Sequence, residues 1–111
     1  VAGFSFGGWI AMQLLMRRPE INGFVTISPP ANLRDFSFLA PCPSSGMIVH
    51  GDKDNIASFD SSKILSEKLQ KQKKVNIEFK SIKGADHFYE NYTDEFENII
   101  DTYIKNTIDL A

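Results

Sequence analysis

Gly3-Phe4-Ser5-Phe6-Gly7-Gly8 is the stretch on which the fold turns. Before it, Val1 to Phe4 reads as the tail of a strand; after it, Gly8 to Arg17 is apolar on nearly every face. A helix that is apolar all round is a buried one. Arg17 and Arg18 fall in its last turn, where cations suit the helix dipole, and Pro19 stops it. A serine on a sharp strand-to-helix turn has its hydroxyl pushed into the open above the sheet, in a strained backbone conformation. Side chains two residues to either side would collide in such a turn, so Gly3 and Gly7 are expected to be obligatory. The first amides of the helix then point at the hydroxyl and favour developing negative charge.

Further along, Gly23 to Ile27 is a short run rich in β-branched residues, a buried strand. Ser28 to Gly46 contains Pro29, Pro30, Pro41 and Pro43 without a sustained period, and is a loop. Met47 to His50 is another strand, ended by Gly51. A helix is expected from about Ser61 to Gln72, with Ile64, Leu65 and Leu69 on its inner face. Lys71, Lys73 and Lys74 at its end suit the dipole rather than marking a binding patch. From Val75 to Ile82 apolar and polar residues alternate, as in a strand with one wetter face at a sheet edge. A last helix starts near Thr93, its expected N-cap, with Asp94 and Glu95 in the first turn. Phe96, Ile99, Ile100, Tyr103, Ile104 and Ile108 form its apolar stripe. This alternation of strands and helices is α/β: a parallel sheet with helices on both faces.

Two more motifs follow strands of that sheet. In His50-Gly51-Asp52-Lys53-Asp54 a carboxylate lies just past a strand, at the carboxyl edge where open α/β folds place their sites. Asp54 is preferred as the functional carboxylate because it leaves the strand by a full turn and can swing toward a histidine. Asp52 sits closer and is expected to cap the turn. In Gly84-Ala85-Asp86-His87-Phe88-Tyr89 the glycine lets the chain turn back over the edge, and His87 hangs from the loop. Asp86 is expected to stabilise that loop. The order Ser5, Asp54, His87 is that of the α/β-hydrolases, not of chymotrypsin or subtilisin. His50 is read as structural, since two isolated histidines make a poor metal site.

Composition bounds the rest. Of 111 residues, 42% are hydrophobic and 23% charged, which fits one globular domain. A net charge of −2 leaves no basic surface for nucleic acid or an acidic membrane. Cys42 is the lone cysteine, so no internal disulfide forms, and a reducing cytoplasm is the expected location. No apolar run approaches the roughly 20 residues that span a bilayer. Because Val1 opens inside a strand, residues 1–111 are expected to be the C-terminal part of a single domain whose N-terminal strands, and any targeting signal, lie upstream.

With Gly3–Gly8, Ile27–Pro30, Leu39–Pro43, His50–Asp54 and Gly84–Phe88 quoted together, the chain resembles the α/β-hydrolase superfamily. The resemblance is to its small lidless bacterial branch, dienelactone-hydrolase-like or carboxylesterase-like, and covers essentially the whole chain. It implies Ser5 as nucleophile, Asp54 as acid and His87 as base. The amide of Phe6 would form half of an oxyanion hole, the other half coming from a loop after an earlier strand. Phe4, Phe6, Pro29, Phe88 and Tyr89 are expected to line an open site, with ordinary packing as the alternative for each aromatic. The proline-rich loop is too short for a lid of several helices. Two departures stand out: Ala57-Ser58 replaces a frequent Val-Pro, and Ser5 stands where true dienelactone hydrolases use cysteine. The expected function is a serine hydrolase of esters or related acyl compounds, with a small-molecule acyl substrate and no metal or other cofactor. A peptidase, an acyltransferase, or a truncated or non-catalytic scaffold are the alternatives.

Overall fold

Four short strands make one sheet: β1 (Ala2–Phe4), the buried apolar β2 (Phe24–Ile27) and β3 (Gly46–Gly51), and the alternating β4 (Ile77–Ile82). The computed structural model describes residues 1–39 and 41–109, and the side chains of 108 and 109 are not among those described. Three helices connect or follow the strands: α1 (Phe6–Arg17), α2 (Phe59–Gln70) and α3 (Thr93–Asp109). The strands pair in the order β1-β2-β3-β4, every neighbour parallel. All four therefore end at the same sheet edge, and the chain leaves each of them there.

Strand alternation divides the core into two layers. Phe24, Ile48 and Ile77 face Met12 and Leu15 of α1, Leu69 of α2, and Phe36, Leu39 and Cys42 of the long loop. Val25, Met47, Val49 and Ile82 face the opposite way, against Phe96, Ile99, Ile100 and Tyr103 of α3. Helices thus cover both faces, as the alternation of elements requires. The Ser28–Gly46 loop holds one 3₁₀ turn, Ser37–Leu39, and no α-helix among its described residues. No described helix is long and apolar enough to cross a membrane.

Several expectations need correction. Helix α1 is not buried all round: Phe6, Ile10, Leu14 and Met16 are exposed. The sheet and the long loop cover one side of it, and nothing among the described residues lies across the other. On α2 the inward positions are Ser62, Ser66 and Leu69, while Ile64 is exposed. Small serines let the helix close on His50 and β3, which turns Ile64 outward, beside the loop residues Arg34 and Phe36. The helix N-cap is Ser58, whose hydroxyl accepts the amide of Ser61. Thr93 is the first residue of α3 rather than its cap, and the first bond runs from Phe96 N to the Tyr92 carbonyl. Ile104 in the α3 stripe is exposed. Ala40, within Leu39–Pro43, and the side chain of Ile108 lie outside the described residues.

Candidate active site

Ser5 joins β1 to α1 with φ 55° and ψ −122°, a conformation that L-residues adopt only under constraint. Its amide donates to the Ile27 carbonyl at 2.7 Å, and its own carbonyl accepts the amide of Gly8 at 2.9 Å. The turn is tight because Gly3 lies against the backbone of Gly7 and Gly8, where a Cβ would overlap both. Of the two flanking glycines only Gly3 is obligatory: a Cβ on Gly7 would meet nothing within 4 Å. The second close approach is at Gly8, whose Cβ would sit 2.5 Å from Thr26 Oγ1. Gly8 is what lets α1 lie down on β2.

Asp54 follows β3 in a turn that folds the carboxylate back over the sheet. Its Oδ1 accepts the amides of Ile56 and Ala57, both at 2.8 Å. Its Oδ2 accepts Nδ1–H of His87 at 2.7 Å. Burial opposes charge on this group, but the bonds from His87, Ile56 and Ala57 outweigh it and hold the carboxyl below the usual carboxylate range. His87 comes from the loop after β4. With Nδ1 on a carboxylate, its Nε2 is free to accept, and Ser5 Oγ lies 3.0 Å away. The imidazole is buried, with the rings of Phe4 and Phe88 at 5.2 and 5.0 Å from its centre. Residues 82 positions apart in the chain are thereby joined at one sheet edge.

The surrounding loops are pinned to each other. Asp52 reaches beyond its own turn: its Oδ1 accepts the amide of Gly84 at 2.6 Å, tying the loop of Asp54 to that of His87. Asp86 accepts the amide of Glu90 within the His87 loop. Ser28, fully buried with φ 50°, donates to the His87 carbonyl at 3.3 Å and lies 2.8 Å from the Tyr89 hydroxyl. That hydroxyl also donates to the Val49 carbonyl. Burial pushes the Tyr89 phenol up to about 12, so it stays protonated.

The expected lining residues separate. Phe4 and Phe88 are exposed at the site and, with Ile27, Tyr89, Thr93 and Phe96, border a shallow apolar cleft. Tyr89 is 3% exposed and also holds the loop. Pro29 is buried, its carbonyl 3.2 Å from Ser62 Oγ, and does not face an open site. Phe6 is exposed at the start of α1, and the guanidinium of Arg34 lies 4.9 Å from its ring and 5.3 Å from that of Trp9. Arg34 escaped the sequence reading because only the folded loop brings it there. His50 is buried, as a structural histidine is, and its ring also touches Asp54 Oδ2. The spacing of four residues across a glycine turn was the available signal. No cluster of metal-ligating side chains occurs among the described residues.

Residues 1–107 match the dienelactone hydrolase family across nearly the whole chain. The chain belongs to that family. It is 54% identical over 108 residues to the uncharacterized protein RP471 of Rickettsia prowazekii, covering 94% of this chain and 45% of that protein. A solved structure from Agrobacterium tumefaciens, ATU1826, an α/β-hydrolase candidate of unknown function, superposes with a TM-score of 0.96 at 50% identity. That match covers 98% of this chain and 50% of the other. XC6422 of Xanthomonas campestris, a lidless α/β serine hydrolase, shares the fold with a TM-score of 0.81 at 23% identity, over 95% of this chain and 45% of its own. This dienelactone-hydrolase-family chain therefore spans about half the length of the relatives it matches.

Proposed function

We propose that this chain carries the reacting groups of a serine hydrolase acting on esters or related acyl substrates. One observation carries the reading: a single buried imidazole lies 3.0 Å from Ser5 Oγ and 2.7 Å from Asp54 Oδ2. In this reading Ser5 Oγ attacks the acyl carbon while His87 Nε2 takes the hydroxyl proton. The carbonyl electron pair moves onto oxygen, and Asp54 stabilises the imidazolium that results. Collapse of the intermediate expels the alkoxide, which takes the proton from His87 and leaves an acyl group on Ser5. Water then repeats the sequence and releases the acid.

The amide of Phe6, the residue after the nucleophile, supplies one oxyanion donor. The second is proposed to come from the half of the fold that the relatives carry beyond the matched region. Removal of one such donor slows catalysis by roughly 10²–10³-fold. The exposed rings of Phe4 and Phe88 favour an apolar group beside the acyl carbon. The strained turn at Ser5 supports the assignment, since such strain concentrates where a side chain must be presented to a ligand.

A fluorophosphonate probe tests the reading on the protein at its natural length. Labelling is expected with the parent and absent with Ser5→Ala. A folded parent that takes no label would overturn the proposal.

A further inference from the structure

His50 stands outside the three proposed reacting groups but touches the middle one. Its fully buried ring lies on the α2 side of β3, the side that Ile48 also faces. Phe59 packs edge-on against it with ring centres 5.9 Å apart. Its Nε2 lies 2.9 Å from the Ala57 carbonyl and 3.0 Å from Asp54 Oδ2. A carbonyl and a carboxylate only accept, so Nε2 carries a proton. Burial lowers the basicity of this ring, against the pull of the Ala57 carbonyl and Asp54. The ring is then neutral, and Nδ1 accepts the hydroxyl proton of Ser62, 2.7 Å away. Helix α2 therefore selects the tautomer from one end and the Asp54 turn from the other.

The consequence falls on Asp54. Its Oδ1 is held by two amides, so the carboxylate does not need His50 to stay in place. Its Oδ2 is shared by two imidazole donors, His87 at 2.7 Å and His50 at 3.0 Å. We infer that His50 is a positioning residue of the proposed triad, which occupies the second acceptor site of Asp54 Oδ2 and so limits the negative charge that His87 feels. The inference rests on the serine-hydrolase reading. Without the His50 donor, Oδ2 serves His87 alone and His87 holds an added proton more tightly. The nucleophile then loses its base at a higher pH.

Among the described residues, few other groups can move that profile. On the β3 side the titratable neighbours of His87 are Asp54 and His50, with the protonated Tyr89 below them. β1 and α1 present Ser5 and the ring of Phe4. Asp86 is turned to the Glu90 amide and Asp52 to the Gly84 amide.

The test compares three substitutions in the protein at its natural length. His50→Gln keeps an N–H at the position of Nε2, His50→Asn keeps a polar atom only at that of Nδ1, and His50→Leu keeps neither. The readouts are the pH profile of fluorophosphonate labelling and the downfield proton resonance of His87 Nδ1–H. The acid limb is expected to move up by about 0.5–1 pH unit in His50→Asn and His50→Leu, and to stay with the parent in His50→Gln. The resonance is expected to move further downfield in the first two variants only. One acid limb and one resonance common to all four proteins would overturn the inference and leave His50 a packing residue. If His50→Leu does not fold, the contrast between His50→Asn and His50→Gln decides. Asp54→Asn is the control: a downfield resonance that survives it removes the triad reading, and the inference with it.

Discussion

At the scale of single residues, close approach at the Ser5 turn depends on where α1 crosses β2, not on distance from Ser5 along the chain. Gly7 faces open space, whereas Gly8 faces Thr26 Oγ1. Gly7→Ala is therefore expected to leave stability unchanged or raise it by about 0.4–1 kcal/mol, through loss of unfolded-chain freedom. Gly8→Ala is expected to cost about 1–3 kcal/mol, as overpacking of a tight contact does. Denaturant midpoints of the two variants check this, and equal midpoints would remove the distinction. His50 shows the same limit of a local pattern. A histidine at a strand end looks like a packing residue until the turn after it brings Asp54 back within 3.0 Å.

At the scale of elements, β2 and β3 were legible as short apolar runs bounded by turn residues, and β4 by its alternation. The parallel order followed from helices placed between them. The helix faces were less legible. Hydrophobic spacing in α2 pointed Ile64 inward, but the helix instead turns Ser62 inward, onto the buried ring of His50. What joins the strand ends is also invisible to periodicity. Tyr89 and Ser28 clasp β2, β3 and the His87 loop through two hydroxyls and two carbonyls. Tyr89→Phe removes one hydroxyl from this clasp, while the Val49 carbonyl keeps the Ser28 amide at 2.8 Å. The loss is therefore expected to be that of one ordinary hydrogen bond, about 1 kcal/mol. Looser tethering of the His87 loop should slow labelling of Ser5 beyond what the fall in stability explains. Equal melting temperature and labelling rate in Tyr89→Phe and parent would show that the clasp contributes nothing.

At the scale of the whole molecule, the two edges of the sheet differ in kind. β4 protects its edge with alternation: Glu78 and Lys80 are polar, and their side chains approach to 3.8 Å at the surface. β1 has three residues and no such protection; Ala2 and Phe4 are exposed beside an α1 face that offers Phe6, Ile10 and Leu14. A parallel edge strand next to exposed apolar side chains is a template for association. The relatives are about twice as long, and the open side of β1 and α1 is where further strands and helices of such a fold would close the sheet. Residues 1–111 produced alone are therefore expected to self-associate or to fold only in part. Sedimentation over a range of concentrations, with denaturant unfolding followed in parallel, measures both. Charge placed on the open face, as in Ile10→Lys with Leu14→Glu, should reduce association without disturbing the layer around Met12 and Leu15, which face the sheet. A monomer with one cooperative unfolding transition would show instead that four strands and the two layers against them suffice, and that the open face costs the fold little.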